Sequence, residues 1–158
     1  MAGDGIGYTR AVRQIQQLGC GAALLACCLA LPAQGADFRA GDLIVAQAWS
    51  RPTPPVASVG AVYFSLTNAG SKAERLSAIS SPIARQVEIH ESRDVQGMIQ
   101  MRALTFVDCP PGATVRSEPG GLHVMLVGLT RPLTPGMKFP LSLTFQSGQI
   151  VNVTVTVK

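Results

Sequence analysis

Charge is scarce in this 158-residue chain, where Asp, Glu, Lys and Arg make up only 14% of the sequence. A disordered polyelectrolyte tail needs far more. The balance is basic, 13 Lys+Arg against 9 Asp+Glu for a net +4, yet no run of Lys or Arg occurs. A nucleic-acid reader carries a dense basic stripe, so no nucleic-acid partner is expected. Helical patterning is missing too: beyond the first 35 residues no segment repeats apolar residues at the helical interval. Histidine occurs twice. What the chain does have is 47% hydrophobic residues, enough for a core, and 11 Pro and 16 Gly punctuating short apolar runs. That pattern argues for strands and turns.

The N-terminal region reads as an address. Arg10 and Arg13 precede Leu18–Leu31, LGCGAALLACCLAL, fourteen residues without a charge. About 20 apolar residues are needed to cross a bilayer, so this run does not span one, and no transmembrane segment is expected in the mature form. It has the length of a secretory signal core, and Ala33-Gln34-Gly35 supplies a small-residue cleavage pattern. The sequence thus divides into a signal peptide, residues 1–35, and an exported domain, residues 36–158. Leu24-Leu25-Ala26-Cys27 loosely resembles a lipobox, a second processing route with lipid anchoring at Cys27.

Removing residues 1–35 takes away Arg10, Arg13 and Asp4, leaving 11 basic and 8 acidic residues. It also removes Cys20, Cys27 and Cys28, so Cys109 stays alone and no internal disulfide is available. The domain must be held by its core.

Strands are expected from Leu43 to Trp49, Gly60 to Leu66, Gln86 to Glu91, Met98 to Leu104, Leu122 to Leu129, Leu141 to Phe145 and Ile150 to Val157, with a weaker one at Leu76–Ile79. LSLTF and IVNVTVTV flank Gln146-Ser147-Gly148-Gln149 as a hairpin. The fold class is all-β, an antiparallel Greek-key β-sandwich or small barrel.

Both histidines fall on strand faces opposite apolar residues. Val87 and Ile89 oppose His90, with Glu88 on the His90 side; Leu122, Val124 and Leu126 oppose His123. Met125 shares the His123 face, and Met98 and Met101 follow His90 after one short loop. Thioether sulfur is soft and suits Cu(I), imidazole suits copper and zinc alike, and zinc sites draw on Cys, His and carboxylates. Two imidazoles with two thioethers therefore point to Cu(I), and to Cu(II) if further nitrogen or oxygen donors join. Neutral donors would also let a carrier release its metal. Met137 reads as core filler.

The spacing His90, ten residues, Met101, twenty-one residues, His123-Val124-Met125 resembles the H-x10-M-x21-H-x-M signature of periplasmic copper chaperones of the PCu(A)C type. Trp49-Ser50-Arg51, Leu66-Thr67-Asn68-Ala69-Gly70, Pro119-Gly120-Gly121-Leu122 and the stretch from Met125 to Phe145 extend the likeness over about residues 38–157. The resemblance implies a cupredoxin-like barrel. It implies an exposed copper site made by His90, Met101, His123 and Met125. It also implies delivery of copper to a periplasmic acceptor, such as a cytochrome oxidase subunit or assembly factor serving the CuA centre. One departure stands out: Ser92 occupies the position where many members carry a further Met.

Three rival readings are weaker. A blue-copper carrier needs a Cys thiolate, and Cys109 sits in a Pro-Pro turn fourteen residues before His123. A metal-free protein-binding β-sandwich makes no use of the His and Met spacing. An enzyme lacks an evident nucleophile–base arrangement or carboxylate pair. Gly120-Gly121 suits a sharp turn before His123, and Glu91 and Arg102 flank the site as candidates for tuning partner docking.

Overall fold

The computed structural model describes residues 37–158. The segment read as a signal sequence, with Cys27 and the cleavage site after Gly35, lies outside the described residues. Eleven strands and no helix make up the described chain: β1 Phe38–Ala40, β2 Leu43–Ser50, β3 Val59–Asn68, β4 Glu74–Ser80, β5 Ala84–Val95, β6 Met98–Leu104, β7 Val107–Cys109, β8 Thr114–Arg116, β9 Leu122–Leu129, β10 Lys138–Phe145 and β11 Ile150–Val157.

Alternation explains most of them. Val151, Val153, Val155 and Val157 of β11 are buried, while the polar residues between them face out. Phe139, Leu141, Leu143 and Phe145 of β10 do the same across the ladder. The strands follow one hydrogen-bonded path, β6-β5-β9-β3-β2-β11-β10-β4-β7, with β1 added to β2 and β8 to β3. The path curls so that its ends share one core: Ile89 near one end and Leu76 and Val107 near the other join Phe64 and Val124 around the same small interior gap.

Two features depart from the sequence reading. The β11–β2 pair is parallel, with Thr156 beside Trp49 and Val157 beside Ser50. Strands joined by hairpins can only run antiparallel, but these two come from opposite ends of the domain and no turn constrains their direction. The three-residue strands β1, β7 and β8 are also unexpected, being too short to display a period. The Leu76–Ile79 segment, weak in sequence, is the middle of the seven-residue β4.

Candidate metal centre

Two turns position the histidine and methionine side chains. Between β5 and β6, Gln96 and Gly97 both have positive φ, 55° and 82°. This is the signature of a two-residue type I′ hairpin, which matches strand twist. Asp94 reinforces it by accepting a hydrogen bond from Gly97 N–H at 2.7 Å. The turn fixes the register, so His90 lies opposite Ala103 and Ser92 opposite Met101. Before β9, Glu118-Pro119-Gly120-Gly121 forms a turn closed by Gly121 N–H donating to the Glu118 carbonyl at 3.1 Å. Gly120 has φ +83° and Pro119 precedes it, the requirements of a type II turn.

Pairing of β5 with β9 then sets His90 directly opposite His123, and Glu88 opposite Met125. Alternation places Glu88, His90 and Ser92 of β5, Met101 of β6, and His123 and Met125 of β9 on one face, outside the core. The imidazoles meet edge to face, with centroids 5.8 Å apart and planes at 74°. His90 Nδ1 lies 3.1 Å from Met101 Sδ, and His90 Nε2–H donates to the Glu88 carboxylate at 2.8 Å. His123 Nδ1–H donates to the Gly121 carbonyl at 2.9 Å. Because a carbonyl only accepts, this bond leaves Nε2 of His123 with its lone pair bare, the form that binds a metal.

Burial grades across the site. His123 is buried at 8% exposure, Met125 is half-buried and Met101 is 55% exposed. The donors therefore run from an anchored imidazole to an open thioether. Among the described residues no group of three or more His, Cys, Asp and Glu stands together as a cation site. The groups sharing this face are two imidazoles, the Met101 thioether against one of them and the Met125 thioether beyond, a soft set of the kind that fits Cu(I).

The sequence-predicted residues separate cleanly. His90, Met101 and His123 come together, and Met125 joins their face. Met98 begins the regular β6 ladder opposite Val95, three residues from Met101, so it faces the other way. Ser92 occupies the site face opposite Met101 and is buried. Met137 packs against the core as expected. Glu91 and Arg102, expected to flank the site, pair with each other on the far face of the hairpin, Arg102 Nη2 donating to Glu91 Oε2 at 2.8 Å. Arg93 and Arg102 hold the Glu91 carboxyl below the usual carboxylate range. The one-residue offset from His90 turns Glu91 away. Cys109 is fully buried in the core, where desolvation pushes its thiol pKa up, and it does not meet the outer-face histidines.

Two features escaped the sequence reading. Alternation puts Glu88 on the His90 face, yet nothing in the sequence gives it a role. The other is a bulge in β2, where the register shifts between Ala46 and Trp49 and Gln47 takes φ +56°. A bulge inserts one residue and so swaps faces: Leu43 and Val45 point into the core, whereas Trp49 turns outward. There it stacks on Tyr63 with centroids 4.7 Å apart, and neither ring belongs to the core cluster. Tyr63 follows Val62, where the β3–β9 ladder ends at Val124, so alternation puts the aromatic pair on the outer face that also carries His123.

Comparison with known proteins places this architecture in a class. The PCuAC domain of PmoF2 in its apo form matches with a TM-score of 0.66 and 21% identity, over 78% of this chain and 94% of that one. A copper-bound form of the PmoF2 domain matches equally well, at 20% identity and TM-score 0.66 over 78% and 97% of the two chains. The Cu(I) form of DR1885 from Deinococcus radiodurans shares 29% identity, with a TM-score of 0.58 over 87% of this chain and 85% of that one. The fold is therefore the cupredoxin-like β fold of PCuAC domains. Within that class, the chain belongs to the LpqE-like family, described as "Putative lipoprotein LpqE-like", whose model matches residues 43–157. A relative named "Putative lipoprotein" from Leifsonia xyli subsp. xyli is 31% identical over 85% of this chain and 82% of its own length. An uncharacterized protein of Rickettsia prowazekii is 33% identical over 76% and 74%.

Proposed function

We propose that this protein is an exported copper carrier. It binds Cu(I) through His90, Met101, His123 and Met125 and passes it by ligand exchange to a periplasmic acceptor. The observation that carries the reading is the register: two imidazoles directly opposite on β5 and β9, with the Met101 thioether 3.1 Å from His90 Nδ1. Neutral soft donors bind Cu(I) without the thiolate charge that would trap it. The exposed Met101 gives a partner's ligand a way in, since exchange requires the metal to be reachable. Copper bound to similar domains supports the cargo. The lipoprotein description of the family agrees with export, whether by cleavage after Gly35 or by anchoring at Cys27. No helix among the described residues is long and apolar enough to cross a membrane. Resemblance to the PCu(A)C chaperones points to cytochrome oxidase, through its CuA centre, as the destination. Cu(II) would need harder donors added to this set.

X-ray absorption of the Cu(I)-loaded protein tests the ligand set. The expected first shell contains both sulfur and nitrogen, with the sulfur contribution reduced in Met101→Ala. A shell of nitrogen and oxygen alone would remove the methionines from the site.

A further inference from the structure

Glu88 stands two residues before His90 on β5, so both side chains share the outer face. Its Oε2 accepts the Nε2–H of His90 at 2.8 Å, and its Oε1 accepts a hydrogen bond from Gln86 Nε2. Gln86, Glu88 and His90 thus form a chain of contacts along one strand face. A neutral imidazole has one N–H and one bare nitrogen, and a carboxylate can only accept. The Met101 thioether can likewise only accept, but the charged carboxylate is the far stronger acceptor. In the neutral ring the proton therefore sits on Nε2, and Nδ1 lies bare, 3.1 Å from Met101 Sδ. His123 is arranged the opposite way: its Nδ1–H is held by the Gly121 carbonyl and Nε2 is bare.

We propose that Glu88 is a positioning residue for copper capture. It holds His90 in the tautomer that presents Nδ1 beside Met101, so the two histidines bind the same ion through opposite ring nitrogens. This rests on the copper reading above. Carboxylates that orient ligating histidines in this way raise ligand basicity and fix ring direction. Glu88 also places a negative charge one imidazole away from a donor set that is otherwise neutral, offsetting the charge of the ion without coordinating it. Gln86 restrains the carboxylate from the other side.

Long-range proton–nitrogen NMR of the copper-free protein in mildly alkaline buffer reads both tautomers directly. The parent should show His90 protonated on Nε2 and His123 protonated on Nδ1. In Glu88→Ala, His90 should become a mixture of tautomers and Cu(I) affinity should fall about 10–100-fold. Glu88→Gln keeps an acceptor oxygen without the charge, so it should restore most of the tautomer and part of the affinity. Glu88 is partly exposed, and the dispersion of the same spectra verifies that each variant folds. Parent His90 protonated on Nδ1, or a His90 tautomer unmoved by Glu88→Ala, would overturn the role of Glu88. So would a shifted tautomer with undiminished affinity. If instead His90→Ala binds Cu(I) as tightly as the parent, the copper site itself is wrong, and that failure is read separately from the tautomers.

Discussion

The two faces of β5 and β9 are built from the same strands, one residue out of phase, and do different work. Inward, Ile89, Val124 and Leu126 are buried in the shared core. Outward, His90 and His123 face each other, with Met101 against His90 and Met125 farther along the same face. Because a strand alternates with period two, a one-residue step exchanges stability for chemistry. The difference teaches why the site tolerates an exposed methionine: the core on the other face holds the strands in register without help from the donors.

Substitutions one residue apart should separate these roles. Leu126→Ala, fully buried, should lower stability by about 2–5 kcal/mol in a denaturant melt. The neighbouring Met125→Ala should leave the fold nearly intact while weakening Cu(I). A similar loss of stability in both would erase the distinction between the faces. His123→Ala should weaken Cu(I) binding on the order of 100-fold, about 2.7 kcal/mol, measured by chelator competition. A smaller change is expected in Trp49, the protein's single tryptophan. Its emission should shift on Cu(I) addition, because the β2 bulge turns it onto the site face beside Tyr63, and an unchanged spectrum would place the aromatic pair out of reach of the metal. Smallest of all, Met98→Ala, Arg102→Glu and Cys109→Ser should leave Cu(I) affinity as it is. Meanwhile the native Cys109 thiol should react with alkylating reagents far more slowly than the unfolded one, since burial keeps it protonated.

Much of the geometry of this face could be read from sequence because its information is local. The Asp94–Gly97 turn and Pro119-Gly120-Gly121 are short-range signals, and the alternation around His90 and His123 states which residues share a face. The facing of Met98 away from Met101 follows from the same rule once no loop intervenes. What sequence did not reveal depends on partners distant in the chain. The parallel β11–β2 pair has no turn to announce it. The bulge that turns Trp49 outward is visible only against β3, since Gln47 itself carries no glycine-like signal. Glu91 and Arg102 looked close to the site because they neighbour His90 and Met101 in the chain, yet adjacency along a strand means opposite faces. Glu88, two residues away, was the nearer neighbour in space.

An anaerobic Cu(I) titration against a competing chelator, parent beside the Met101→Ala/Met125→Ala double variant, tests the central claim most directly. The account predicts one tight equivalent in the parent and markedly weaker binding in the variant, with both proteins equally folded. Equal binding by the two would contradict it, leaving the methionines as surface and filler and the outer face without a thioether copper site.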